Sequence, residues 1–186
     1  MAASFAAAVE LTFDDGPDPL WTRAILAALR GSPLRATFFV VARLAAEHPE
    51  IMAAARAQGH AIELHCYEHL AHTESDRGAI ERDTERALAT LADLGIEPRR
   101  WRTPGVHAPW THEIADAHDL ELCGWDVDTN DWLGHRAERM LADVGPDLRP
   151  GAVVRMHDAL GPGAQRDGCE ETVRFARLLA AEATAA

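Results

Sequence analysis

The chain has 186 residues, which suits one domain spanning residues 1–186 and is long enough to bury a core without a stapling disulfide. Its net charge is −12, and all 18 of its cationic residues are arginine. The absence of lysine excludes Schiff-base chemistry, an internal pyridoxal linkage and a P-loop lysine, and the acidic balance argues against nucleic-acid or anionic-membrane partners.

In chain order, residues 9–13 read as an apolar strand that runs into Asp14 and Asp15. Residues 19–29 read as a helix, with Asp18 as an N-cap type and Pro19 at the first helical position. Residues 36–41, Ala-Thr-Phe-Phe-Val-Val, have the β-branched and aromatic content of a buried strand. A helix over 49–58 closes at Gly59, and a strand over 61–64 precedes His65. A helix over 76–94 ends at Gly95. Strand 101–102, helix 111–118, strand 120–127, helix 136–144, strand 152–156 and helix 168–183 complete the series. This alternation predicts an α/β fold with a mainly parallel sheet, either open and doubly wound or an incomplete barrel. Cys66, Cys123 and Cys169 show no paired spacing, the apolar start lacks a basic region, and no run approaches the ~20 residues of a membrane span. As it stands the chain reads as cytoplasmic; a trimmed leader would make it exported.

In parallel α/β folds ligands collect at the carboxyl ends of the strands. The chain places Asp14, Asp15, His65, His69, Arg102, Asp128, Asp131 and His157 there. The two adjacent carboxylates of Asp14-Asp15-Gly16-Pro17 repel, which a cation would relieve; the same tetrapeptide is also good turn chemistry. His65 and His69 are spaced i, i+4. On a helical turn both imidazoles share one side and can share a metal, with Cys66 facing away; otherwise they are two of ten unrelated histidines. One Asp and two His form a plausible three-ligand set for Zn²⁺ or a similar ion, with positions left for water and substrate. His157 reads as a proton donor near neutral pH or as a core histidine bonded to backbone. Trp125 and Trp132 bracket three carboxylates, as in a sugar cleft or in ordinary packing.

The order of these pieces is more specific than any one of them. Thr12-Phe13-Asp14-Asp15-Gly16-Pro17, His65-x-x-x-His69, Arg102-x-Pro104, Asp128-x-x-Asp131-Trp132 and Met156-His157 resemble the motifs of the polysaccharide deacetylases, the NodB-homology domains of carbohydrate esterase family four. The resemblance spans residues 12–157 and implies a distorted, incomplete (β/α) barrel of the (β/α)7 type. It implies that Asp15, His65 and His69 hold one divalent metal, zinc or alternatively cobalt or nickel. Asp14 would be the general base, oriented by Arg102. His157 would protonate the departing amine, with Asp131 orienting it and raising its pKa. The backbone N–H at Gly105 would help stabilise the oxyanion, and Trp125 would wall the cleft. The implied reaction removes an N-acetyl group from an amino sugar, in a polymer or a small glycoside, giving acetate and a free amine. The alternatives are an amidase of the same superfamily acting on a small amide or cyclic imide, and a noncatalytic carbohydrate- or metal-binding module.

Three positions depart from the family pattern. Cys66 stands where Ser or Thr is usual, and Gly105 where a tyrosine is usual. Arg155 stands where a leucine normally lines the acetyl-methyl pocket. A guanidinium there must turn away, pair with a carboxylate such as Asp128, or mark a different acyl pocket, in which it would receive a substrate carboxylate.

Overall fold

The computed structural model describes residues 9–185. Seven strands form one sheet, all neighbours parallel: β1 Glu10–Asp14, β2 Ala36–Val41, β3 Ala61–Cys66, β4 Arg100–Trp101, β5 Glu121–Leu122, β6 Val127–Asp128 and β7 Val153–His157. The spatial order is β5-β4-β3-β2-β1-β7-β6, so β5 and β6 are its two edges. The sheet curls into a half-barrel with these edges flanking an open seam, which is the incomplete-barrel alternative. The helices are α1 Trp21–Leu29, α2 Ala42–Glu47, α3 Pro49–Ala57, α4 Arg77–Asp93, α5 Thr111–Ala117, α6 Ala137–Val144 and α7 Glu170–Ala185. Among the described residues no helix is long and apolar enough to cross a membrane.

Strand alternation divides the sheet into two chemistries. Leu11, Phe13, Phe38, Val40, Leu64, Val154 and Met156 are buried in the apolar core, with Phe13 and Phe38 stacked at 5.2 Å. The intervening residues take the opposite face. The register sets Thr12 beside Thr37 and Arg155, and Asp14 beside Phe39 and His157. The polar residues of β1 and β7 therefore share one concave side, which is where the site forms.

The sequence-based elements need four corrections. Residues 120–127 are not one strand. They form β5 and β6 on opposite edges, joined across the seam by Cys123-Gly124-Trp125-Asp126. Asp126 breaks the run by taking the Val153 N–H on its carboxylate at 2.9 Å, while its own N–H donates to Val153 O. Helix α2 was not foreseen, because it leaves β2 directly at Val41 with no side-chain cap. Helix α1 begins at Trp21 rather than Pro19, with Leu20 in the N-cap position; Asp18 stands one turn ahead and accepts the Leu20 and Trp21 N–H groups at 2.8 Å. Finally, His65 and His69 do not lie on a helical turn. His65 is within β3 and His69 is in the loop beyond, with φ +53°.

Candidate active site

The Asp14-Asp15 segment is held by groups distant in sequence. Asp14 closes β1, and Asp15 turns the chain away with φ +76°. The next N–H, of Gly16, donates to Asp158 Oδ1 at 3.1 Å, and Thr22 Oγ1 donates to Asp158 Oδ2 at 2.6 Å. Asp158 is fully buried. Burial, aided by the charge of Asp15, pushes its carboxyl up to about 7. Val41 N donates to Gly16 O at 2.8 Å, which ties this turn to β2.

Asp15 Oδ1 faces His65 Nε2 at 3.3 Å and His69 Nε2 at 3.1 Å. His65 Nδ1–H donates to the Arg102 carbonyl at 2.5 Å, which leaves Nε2 as the lone-pair nitrogen. His69 reaches the same place because its loop is pinned. Asp83 of α4 accepts the Tyr67 and Glu68 N–H groups at 2.8 and 2.9 Å, and Cys66 Sγ accepts the His69 N–H at 3.2 Å. Cys66 thus holds the loop as an acceptor and is not a ligand. One oxygen and two imidazole nitrogens lie within 4.8 Å of one another, a donor set that fits a tetrahedral or five-coordinate divalent ion with positions to spare. Burial raises the Asp15 carboxyl, but the two histidines more than offset this and hold it below the usual carboxylate range.

Asp14, 3% exposed, receives Arg102 Nη1 at 2.9 Å on Oδ1. Arg102 is itself buried and tied down by Thr12 Oγ1 at 2.6 Å and Gly124 O at 2.7 Å, over the Phe39 ring. Across the cleft, His157 Nδ1–H donates to Asp131 Oδ1 at 2.7 Å. Burial pulls the His157 pKa down, but Asp131 outweighs it and the net shift is upward. Asp131 is 1% exposed and accepts on Oδ2 from the His157 N–H, Thr172 Oγ1 and Arg166 Nη1.

Asp14, Asp15, His65, His69, Arg102, Gly105, Trp125, Arg155 and His157 therefore line one cleft of about 360 Å³, and Asp131 stands behind His157. Arg155 pairs with Asp128 at 2.7 Å and stacks on Trp125 at 3.8 Å. Gly105, with φ +70°, has open space where a Cβ would sit, so the backbone there is accessible from the cleft. Sequence reasoning missed Arg166, Thr172, Asp158, Asp83 and Gly161. None of these lies in a motif, and only Asp158, next to His157 at a strand end, carried a local signal.

The model of the polysaccharide deacetylase family matches residues 5–122. The chain belongs to the polysaccharide deacetylase family. It is 31% identical over 172 residues to a chitooligosaccharide deacetylase of Bradyrhizobium sp., covering 89% of this chain and 77% of that one. It is 35% identical over 167 residues to a peptidoglycan-N-acetylglucosamine deacetylase of Bacillus cereus, covering 87% of this chain and 59% of that one. A family 4 carbohydrate esterase from Streptomyces lividans, solved with acetate, superposes with a TM-score of 0.83 at 28% identity, covering 94% and 86% of the two chains.

One packing detail of this polysaccharide deacetylase gives a direct prediction. A Cβ built on Gly161 would lie 1.9 Å from Asp15 Oδ2 and 2.6 Å from its Cγ. Asp15 is 8% exposed and fixed by two histidines, so it cannot yield without leaving them. Gly161→Ala should lower divalent-metal affinity at least about tenfold, as expected when a ligand's support is disturbed. Titration with a metal-competing chelator checks this, and wild-type affinity would show that Asp15 is not held by this contact.

Proposed function

We propose that this chain is a zinc-dependent N-deacetylase acting on N-acetylated amino sugars. The observation that carries the reading is the presence in one cleft of a three-atom metal cradle, a buried carboxylate and an imidazole with a buried carboxylate behind it. Asp15, His65 and His69 hold the ion. When bound, it supplies Lewis-acid polarisation of the amide carbonyl and a lowered pKa for water.

The rest is done by the chain's own groups. Asp14 takes a proton from the attacking water on Oδ2, since Arg102 occupies Oδ1 and among the described residues nothing hydrogen-bonds to Oδ2. The Gly105 N–H is the main-chain donor for the oxyanion. His157 carries a proton on Nε2 and gives it to the departing amine, and its Nδ1–H stays with Asp131. Arg166 and Thr172 hold Asp131 in place, so the His157 ring has one orientation. The chitooligosaccharide and peptidoglycan relatives support amino-sugar substrates, and the exposed Trp125 at the cleft mouth gives a sugar face an aromatic surface.

The test is acetate release from a panel of chitooligosaccharides, peptidoglycan fragments and monomeric N-acetylhexosamines, with cyclic imides as the amidase control. Release from the sugars supports the reading; turnover of the imides alone overturns it.

A pH profile tests the role of Asp131. The raised His157 pKa keeps the imidazole protonated further toward alkaline pH than an ordinary histidine, and activity is lost as pH rises through that value. Asp131→Asn removes the carboxylate that raises it. The alkaline limb of kcat should then move to lower pH, with kcat at neutral pH falling about 10²-fold. An unmoved limb would show that His157 is not the acid.

A further inference from the structure

We propose that Arg155 is a specificity residue that receives a carboxylate carried by the substrate beside its scissile amide. This rests on the deacetylase reading and names the substrate class that this cleft prefers.

Arg155 lies on β7 two residues before His157, so strand alternation puts both side chains on the concave face. The strands open toward the cleft at their carboxyl ends, which sets Arg155 about 7 Å deeper along the strand than the proposed acid. Two contacts fix the guanidinium. Asp128, its neighbour in register on β6, meets Nη2 at 2.7 Å, and the Trp125 ring lies 3.8 Å from its central carbon. Asp128 is held in turn by the Asn130 N–H, which donates to Oδ1 at 2.9 Å. These contacts set the plane and one end of the fork but do not satisfy it. Arg155 Nε is buried and has no hydrogen-bond acceptor among the described residues.

A guanidinium presents five donors in a planar fork that matches a carboxylate. Arg155 lines the cleft with 19% of its side chain accessible, so its outward terminal N–H groups, not the enclosed Nε, are what a substrate can reach; an acetyl methyl there would leave them without a partner, whereas a carboxylate would pair with them. The wider charge agrees. The guanidiniums of Arg102, Arg155 and Arg166 and the protonated His157 balance the carboxylates of Asp14, Asp15, Asp128 and Asp131, so a divalent ion held by Asp15 would make the cleft net positive. With the ion bound, an anion would be drawn to this cleft even though the chain as a whole is strongly acidic.

The carboxylate has two chemical sources, the sugar or the acyl group. N-acetylmuramic acid carries it on the sugar, N-succinylglucosamine carries it on the acyl group, and N-acetylglucosamine carries none. Calorimetric binding of the three probes to the zinc-loaded chain reads the preference, and acyl release from each reads turnover. The wild type should bind one carboxylate probe at least about tenfold more tightly than the neutral sugar. The probe that wins identifies the source. Arg155→Leu should collapse that ratio, and Arg155→Lys should retain part of it. Asp128→Asn, which removes the guanidinium's internal partner, should increase it. This last variant gives an opposite sign that a folding defect cannot imitate, and it decides the matter if Arg155→Leu does not fold.

The proposal is overturned if neither carboxylate probe binds more tightly than the neutral sugar, or if Arg155→Leu, folded by circular dichroism, keeps the preference. A binding preference without acyl release from any probe would sustain this role for Arg155 and sink the deacetylase reading. Release with no carboxylate preference would do the reverse.

Discussion

Asp14→Asn should lower kcat for N-acetyl hydrolysis by about 10²- to 10⁴-fold, the range set by loss of a general base, while metal content and substrate affinity stay near wild type. Asp14 is buried at the end of β1 and held on one oxygen by Arg102, a guanidinium locked by three further partners. Asparagine has the same shape and can still accept from Arg102 through its carbonyl oxygen, so the fold and the neighbouring Asp15 are undisturbed. What it lacks is a basic second oxygen. Kinetics beside metal analysis of the same preparation separate the two carboxylates. Turnover within a few-fold of wild type would remove Asp14 from the mechanism.

The second large effect belongs to the metal cradle. His69→Ala should reduce bound divalent metal well below one equivalent and lower kcat by about 10³-fold or more, because Lewis-acid activation contributes several kcal/mol to the barrier. His69 is the ligand to choose. It is the most exposed of the three, with 26% of its side chain accessible, and its loop is held by Asp83 and Cys66 independently of the imidazole. His65 is a poorer probe because it also supports the Arg102 carbonyl. The pH dependence of metal loading has a definite sign. Burial lowers the His69 pKa, but the hydrogen bond and charge of Asp15 outweigh it and the net shift is upward. Asp15 itself stays ionised, so metal is released on acidification as His69 takes a proton. Full metal occupancy in His69→Ala would show that the ion, if bound, sits elsewhere.

The sequence carried the strand–helix alternation and the positions of the site residues, because both are local. A buried parallel strand such as β2 is apolar throughout, and a strand that ends in Asp14-Asp15 or His157 announces its carboxyl end. Closure was not legible from the element pattern, and only the motif resemblance implied the incomplete barrel that the structure has. Whether seven strands make a flat sheet or a half-barrel depends on curvature, and the split of residues 120–127 between two edges depends on the pairing of Asp126 with β7. The spacing of His65 and His69 allowed them to meet, but the helical turn considered for it does not form. The histidines meet through a strand end and a left-handed loop residue. The supporting shell was the least visible part. Asp158 is 142 residues from its partner Gly16 and 136 from Thr22, and Arg166 reaches Asp131 across 35 residues from a Gly- and Pro-rich loop with no periodicity. Such pairings exist only once the barrel brings strand ends together.

Arg155 shows the other side of this. Its identity was conspicuous in the sequence, and pairing with Asp128 was one of the outcomes weighed. The structure adds what the sequence could not carry. The pairing uses one end of the guanidinium, Trp125 fixes its plane, and Nε is left without an acceptor.

The central claim is that the Asp15, His65 and His69 cradle makes this chain a metal-dependent N-deacetylase. The most direct test is acetate release from tetra-N-acetylchitotetraose by the purified chain, measured as isolated, after chelation and after zinc is restored. The account predicts that acetate release falls to background on chelation and returns with zinc. Acetate release that persists without metal, or no acetate from N-acetylated sugars by the zinc-loaded chain, would contradict it.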